Sequence, residues 1–156
     1  MDWAIQKATE LGVASLVPII SERVIVRPRV ERLGPQQQRW QRIAFEAAQQ
    51  AERWDVPEVH APTDLVAWLR AAPGTIKLIL SERSDGGGFD AVSWPTGPDS
   101  RILLLIGPEG GWSAAEREVA HASGFASVSL GARILRAETA AVAALAIIQS
   151  RLGELG

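Results

Sequence analysis

The sequence predicts an α/β fold in which a mostly parallel sheet is flanked by helices, and two patterns indicate it. Short apolar runs alternate along the chain with longer stretches whose apolar residues recur every three or four positions, as strands and helices do in this class. The run at 102–106 is unbroken and apolar, which is typical of a central parallel strand covered on both faces. At 156 residues the chain is expected to form one domain.

The individual elements are predicted from apolar spacing and from residues that start or stop helices. Gly12 suits the left-handed turn that ends a helix. Pro18 interrupts an apolar run and indicates an edge strand or bulge, Thr63 is the expected cap of a short helix, and Ser113 and Glu116 have the spacing of a capping box. The predicted helices cover 3–11, 36–52, 63–69, 113–124 and 140–148, with 27–35 as a polar connection. The predicted strands cover 16–20, 24–26, 56–59, 76–80, 102–106 and 128–130.

The composition excludes several classes of protein and sets a condition on RNA binding. The chain has no cysteine, so disulfides and thiolate metal ligands are excluded. No apolar run is long enough for a membrane span and no secretory signal opens the chain, so a cytoplasmic protein is expected. The net charge is −2, whereas free-standing nucleic-acid binders are usually basic. RNA binding would need another domain or a local basic patch. The dense basic cluster is Arg23, Arg27, Arg29 and Arg32, which a solvated loop explains about as well.

The first segment that could carry chemistry is the loop Gly107-Pro108-Glu109-Gly110-Gly111, here called the glycine loop. It follows an apolar strand and precedes a helix, and ligands of open α/β sheets bind beyond the carboxyl ends of strands. Its glycines would let backbone groups approach a ligand closely. A tight turn without a ligand explains the same residues about equally well, and the spacing matches neither a Walker loop nor a dinucleotide fingerprint.

The second segment is 129–136, here called the arginine loop, together with the start of the following helix. It contains Arg133 and Arg136, and Glu138 and Thr139 follow at once. A salt-bridged helix entrance capped by Thr139 explains the charged residues. It explains less well why two apolar residues, Ile134 and Leu135, lie in the loop, and such residues suit contact with a flat aromatic ligand.

The third segment lies on the long predicted helix. Glu46, Gln50 and Arg53 have i, i+4 and i+7 spacing and are expected to share one helical face, although a solvated polar face is the more common meaning of this pattern. Three tryptophans at helical spacing (Trp3, Trp40 and Trp68) are expected in the core. Two others adjoin the candidate segments, and base stacking is considered for these, Trp54 and Trp112.

Five segments in the same order resemble the ribosomal RNA small-subunit methyltransferase E family. They are Asp-Trp-Ala-Ile-Gln-Lys-Ala-Thr-Glu-Leu-Gly-Val at 2–13, Pro-Ile-Ile-Ser-Glu-Arg at 18–23, Glu-Ala-Ala-Gln-Gln-Ala-Glu-Arg at 46–53, Ile-Gly-Pro-Glu-Gly-Gly-Trp-Ser at 106–113 and Ser-Leu-Gly-Ala-Arg-Ile-Leu-Arg-Ala-Glu-Thr-Ala at 129–140. Each motif alone is weak, but five in order are specific, and they span the chain from Asp2 to Gln149.

This resemblance implies a SPOUT-type fold with a C-terminal trefoil knot, a homodimer, and S-adenosylmethionine-dependent methylation of N3 of a uridine in 16S ribosomal RNA, without a metal. Arg136 and Arg53 would favour the uridine anion, Gln50 would orient the base, and Glu46 would hold an arginine. The resemblance assigns cofactor binding to Leu80, Gly107, Pro108, Glu109, Gly110, Gly111, Leu130, Gly131, Ile134, Leu135, Arg136 and Thr139.

The chain departs from the family pattern in three respects, and one of them is that it is expected to begin after the position of the family's first methyltransferase strand. Members usually carry an N-terminal barrel domain that helps bind RNA, so we expect residues 1–156 to be the methyltransferase domain alone. The usual Ser-Gly before the arginine at 53 is Ala51-Glu52 here. Two other functions stay open: a SPOUT enzyme that acts on a different RNA, and a non-catalytic dimeric module that binds a nucleotide-like ligand.

Overall fold

The computed structural model describes residues 1–24, 30–72, 74, 76–81, 87–95 and 101–155. Arg27 and Arg29 of the basic cluster and all but the first residue of the predicted strand 24–26 lie outside this part of the chain. The helices are α1 (Asp2–Glu10), α2 (Val30–Gln50), α3 (Leu65–Ala71), α4 (Ala114–Ala122) and α5 (Ala137–Leu152). The strands are β1 (Ser15–Leu16), β2 (Ile19–Ile20), β3 (Glu58–Val59), β4 (Thr63–Asp64), β5 (Ile76–Leu80), β6 (Ile102–Leu105) and β7 (Ala126–Val128).

Every ladder between these strands is parallel, which confirms the predicted fold class. β1 pairs with β3 and β2 pairs with β4, while the other three strands form a sheet in the order β6-β5-β7. The prediction that 102–106 is the central strand is wrong, because β5 lies between the other two. An unbroken apolar run indicates that both faces of a strand are covered by helices. It does not indicate whether one or both edges of that strand pair with other strands.

Strand β5 separates two apolar layers. Leu78 and Leu80 pack on one side with Ala144 and Ile148 of α5. Ile79 points to the other side, in a cluster with residues of α3 and α4. The alternation of side chains along a strand therefore assigns α5 to one face of the sheet and α3 with α4 to the other.

Several predicted boundaries differ from the structure for local reasons. Pro18 does split its strand in two, into β1 and β2. Helix α2 begins at Val30 rather than at 36, so Pro35 lies inside the helix as its sixth residue, and the missing N–H costs α2 one backbone bond. The cap of α3 is Asp64 rather than Thr63, since its carboxylate accepts the N–H groups of Val66 and Ala67.

A third cluster joins the amino-terminal helices to β3. Trp40 is buried there with Ile5, Ala44 and Val59, and Trp68 packs against the α3–α4 side of the sheet, as predicted for both. The prediction for Trp3 is wrong: it is exposed on α1. Its spacing fits the helix repeat, but its side chain lies on the face of α1 that points away from α2 and α5.

Two glutamines of α2 close the edge of β3 that faces away from β1. Gln41 donates to the carbonyl of Pro57 at 3.0 Å and accepts the N–H of Val59 at 2.8 Å. Gln37 donates to the carbonyl of Val59 at 2.9 Å. The two amide side chains satisfy the groups that an open strand edge would offer to another chain.

Four helices end in the same left-handed turn. Gly12, Gly124 and Gly153 adopt positive φ after α1, α4 and α5, with the two backbone bonds of a Schellman motif. Helix α2 ends with the same two bonds, but the residue at positive φ is Glu52, at 54°. The resemblance predicted glycine at this position, and the positive φ of Glu52 is a conformation that glycine adopts without strain.

No helix in the described part of the chain is long and apolar enough to cross a membrane.

Candidate cofactor-binding edge of the sheet

The carboxyl ends of the three sheet strands meet at one edge. Residue Ile79 of β5 is in register with Leu105, and Leu80 is in register with Val128. The glycine loop and the arginine loop therefore begin at the same edge, with the end of β5 between them. This is the edge at which open α/β sheets bind ligands.

The glycine loop is packed on Trp112. A Cβ at Gly107 would lie 3.1 Å from the indole nitrogen of Trp112, so a larger residue there would have to displace the ring. Gly111 has a φ of 64° and donates to the carbonyl of Pro108 at 2.8 Å, which closes the turn. Trp112 is only 5% exposed, so it supports the loop from beneath and offers no face for base stacking. Trp54, the other candidate for stacking, is fully exposed.

Gly110 is pressed against the segment that follows β2. A Cβ at Gly110 would lie 3.3 Å from Cβ of Arg23, and Nη1 of Arg23 donates to the carbonyl of Gly110 at 2.9 Å. A side chain at position 110 would therefore strike Arg23 rather than a ligand. The predicted capping box of α4 is present, and its buried Glu116 also accepts the N–H of Glu22 at 2.7 Å. Sequence spacing revealed the capping box but not this second contact, which joins residues far apart in the chain.

The arginine loop presents apolar and cationic side chains to solvent. Ile134 is 66% exposed, Leu135 is half-buried, and Arg133 and Arg136 are exposed. Gly131 has a φ of 101° and open space where a Cβ would be. These are the features expected of a surface that an aromatic ligand with a polar edge would cover.

The alternative of a salt-bridged helix entrance is not supported. None of the ion pairs within the described residues includes Arg133, Arg136 or Glu138. The residue that precedes α5 is Arg136, whose side chain caps no N–H, and Thr139 lies inside the helix and is exposed.

The predicted face of Glu46, Gln50 and Arg53 is not formed. Helix α2 ends at Gln50, so Arg53 lies beyond it, and the prediction of one shared helical face is wrong for this residue. The chain turns at Glu52, a residue type that gives no sequence signal for a helix end. The arginine that donates to Glu46, at 3.0 Å, is the exposed Arg42 and neither of the two predicted catalytic arginines, so the role predicted for Glu46 stays a prediction.

The guanidinium of Arg53 is mostly buried, with 12% of its side chain exposed. It donates to the carbonyls of Thr9 at 2.6 Å and Val13 at 3.1 Å, and it forms two further bonds with Asp55. Val13 precedes β1, whereas Arg23 follows β2. Arg53 is therefore attached to the segment that leads into β1, whereas the glycine loop is attached to the segment that follows β2.

Within the described residues there is no group of histidine, aspartate and glutamate arranged to hold a metal ion. A groove of about 350 Å³ is lined by residues of β5, β7 and 87–93, including Lys77 and Ser127. This groove involves neither the glycine loop nor the arginine loop.

The model of the RNA methyltransferase domain family matches residues 1–149. The chain belongs to this family. Ribosomal RNA small subunit methyltransferase E of Synechocystis sp. is 40% identical over 150 residues, which cover 95% of this chain and 48% of the relative. This RNA methyltransferase domain also resembles solved structures. One is a putative methyltransferase of Legionella pneumophila in complex with bound SAM, with a TM-score of 0.89 and 36% identity over 97% of this chain and 61% of that one.

A second solved structure is ribosomal RNA small subunit methyltransferase E of Neisseria gonorrhoeae bound to S-adenosyl methionine. Its TM-score is 0.86 and its identity is 38%, over 97% of this chain and 60% of that one. The SPOUT-type α/β fold is thereby confirmed, and the trefoil knot stays a prediction. The RNA methyltransferase domain spans from about half to about three-fifths of the length of these relatives.

Proposed function

We propose that the chain is a methyltransferase domain that uses S-adenosylmethionine to methylate N3 of a uridine in 16S ribosomal RNA. The observation that carries the proposal is the family match over 1–149, together with the position of both matched loops at one edge of the sheet. Ribosomal RNA as the substrate also implies work in the cytoplasm. The second candidate function is methylation of a different RNA at the same site. The glycine and arginine loops would bind the methyl donor, and they do not determine which base accepts the methyl group.

The residues at the sheet edge fit the proposed cofactor. Exposed Ile134 and half-buried Leu130 and Leu135 offer apolar contact to an adenine ring, and Gly131 leaves its backbone open to a ligand. The bound cofactor would supply an activated methyl group, and no metal is needed. The proposed binding residues are Leu80, Gly107, Pro108, Glu109, Gly110, Gly111, Leu130, Gly131, Ile134, Leu135, Arg136 and Thr139.

Arg136 is the proposed catalytic residue on this edge. N3 of uridine carries a proton and must lose it before it can attack a methyl group, and a nearby cation lowers the free energy of the resulting anion. Arg136 is exposed and adjoins the amino end of α5, whose dipole also favours negative charge. The catalytic roles proposed for Arg53, Gln50 and Glu46 require these side chains to reach the same bound base, and none of the hydrogen bonds of Arg53 among the described residues is to either loop.

We propose a homodimer that buries the outer face of α5. The sheet covers Ala141, Ala144 and Ile148, while Val142, Leu145 and other apolar residues of the same helix are half-buried. A helix that is apolar on all sides is not stable against water on one of them. Light scattering at tens of micromolar protein, about the range in which specific interfaces are populated, should give twice the mass of the chain, and a monomer would contradict the proposal.

The decisive experiment is calorimetric titration with S-adenosylhomocysteine, followed by a methylation assay on small ribosomal subunits. Gly131→Val should abolish saturable binding, because the side chain would enter the open space at this loop and strain its positive φ. Gly34→Ala is the matched control, since Gly34 is exposed on α2 with open space around it. Binding without methyl transfer to any RNA would favour a non-catalytic module, and no binding at all would refute the proposal.

A further inference from the structure

We propose that Arg23 is a positioning residue of the methyl-transfer site. It holds the glycine loop through the carbonyl of Gly110, and it binds a phosphate of the acceptor RNA with its remaining N–H groups. The inference rests on the proposed function and gives a role to a residue that the sequence placed in a basic cluster and in the matched segment 18–23 without assigning it one.

The contact between Arg23 and the glycine loop is close and has several parts. One guanidinium N–H donates to the carbonyl of Gly110, and the aliphatic part of the side chain fills the space where a Cβ at 110 would be. The neighbouring N–H of Glu22 donates to Glu116, whose other oxygen accepts the N–H of Ser113 at 2.9 Å. The segment after β2 is thereby attached both to the middle of the connection between β6 and α4 and to the first turn of α4.

The rest of the Arg23 guanidinium is available to a ligand. An arginine side chain has five N–H donors, and Arg23 is exposed. No ion pair within the described ranges includes it. The planar arrangement of its donors suits a phosphate bound through two oxygens. On a chain with a net charge of −2, an unpaired arginine beside the proposed cofactor site is a specific place for an RNA backbone to bind.

The two contacts of Arg23 predict coupling between RNA and cofactor. A phosphate bound to one part of the guanidinium fixes the side chain, and the fixed side chain orders the loop that would contact the cofactor. Binding of either ligand should then strengthen binding of the other by the same factor.

The test uses the whole chain and two probes, S-adenosylhomocysteine and a short fluorescein-labelled oligouridylate. Arg23→Ala should weaken oligouridylate binding by about tenfold at low salt and reduce the slope of log affinity against log salt by about 0.7. It should weaken S-adenosylhomocysteine binding by about threefold. Arg23→Lys should keep the salt slope of oligouridylate binding, because lysine carries the same charge. It should still weaken S-adenosylhomocysteine binding, because lysine lacks the planar set of donors that holds the glycine loop. Arg70→Ala, which removes an exposed arginine at the end of α3, should change neither.

Three outcomes would overturn the inference. If wild type binds S-adenosylhomocysteine but the Arg23→Ala variant binds oligouridylate with the same affinity and salt slope, Arg23 binds no phosphate. If the Arg23→Ala variant loses only S-adenosylhomocysteine affinity, Arg23 holds the glycine loop but does not bind RNA. If wild type binds S-adenosylhomocysteine but no oligouridylate, the phosphate role is refuted while the cofactor proposal stands. Failure of wild type to bind either probe would instead refute the proposed function, and the inference with it.

Discussion

Arg53 and Arg136 lie in family-matched motifs and carry the same charge, but the fold uses them differently. Arg53 is mostly buried, and both of its terminal nitrogens bond to Thr9, Val13 or Asp55. Arg136 is exposed and belongs to none of the ion pairs of the described residues. The difference shows that partners, rather than residue type or motif, distinguish an arginine that stabilises a fold from one that is free to act on a ligand.

The largest effect that would separate the two arginines is on turnover. Arg136→Ala should reduce single-turnover methylation of small ribosomal subunits by about a hundredfold, as the loss of a preorganised charge typically does, and should reduce S-adenosylhomocysteine affinity by much less. Arg133→Ala, three positions earlier in the same exposed loop, is the matched control and should retain most activity. Unchanged turnover together with lost cofactor binding would assign Arg136 to the cofactor site instead.

The corresponding change at the other arginine should appear in stability. Arg53→Ala removes charge-assisted bonds to two carbonyls at the end of α1, so the free energy of unfolding should fall by about 2 kcal/mol. Urea unfolding would measure it. Arg42→Ala, which removes an exposed i, i+4 pair with Glu46, should cost about 0.5 kcal/mol or less. A variant of Arg53 that is as stable as wild type would show that its bonds contribute nothing net.

A substitution in the turn between α2 and Arg53 should have a smaller effect on stability, and it should stabilise the fold. Glu52 has positive φ, a conformation that costs a residue with a side chain about 1 kcal/mol. Glu52→Gly should therefore raise the urea midpoint by an amount equivalent to about 1 kcal/mol. Glu52→Ala keeps the strained backbone and removes the charge, so it should gain little. An equal gain in both variants would indicate charge repulsion rather than backbone strain.

The smallest effect concerns the partner of Arg53. The hydrogen bond from Arg53 holds the pKa of Asp55 below its ordinary value. A carboxylate whose pKa is lowered by folding stabilises the fold above its ordinary pKa of 3.8 and loses that contribution as the pH falls through the lowered value. Asp55→Asn should thus lower Tm at pH 7, and the difference from wild type should shrink towards pH 3. The shift will be small because 68% of the Asp55 side chain is exposed. A difference that is the same at both pH values would exclude the ion pair as its cause.

Local spacing predicted some of these features and could not predict others. The Ser113–Glu116 capping box and the glycine that ends α1 were predictable, because each depends on residues a few positions apart. The place of Arg53 was not, since the helix ends at a glutamate where glycine is the usual signal. The hydrogen bond from Arg23 to Gly110 joins residues 87 positions apart, and the residue spacing within one segment cannot predict such a contact.

The hydrogen bonds that close the edge of β3 facing away from β1 are sensitive to chemical modification of one side chain. It depends on Gln41, whose side chain donates to one backbone group and accepts from another. Deamidation would convert this residue to glutamate, which accepts hydrogen bonds but does not donate them. A carboxylate oxygen would then face the carbonyl of Pro57, and that one hydrogen bond would be lost, whereas both backbone groups of Val59 would keep their partners. An aged sample of this protein would accordingly lose stability at Pro57, while Gln37 and residue 41 still cover Val59.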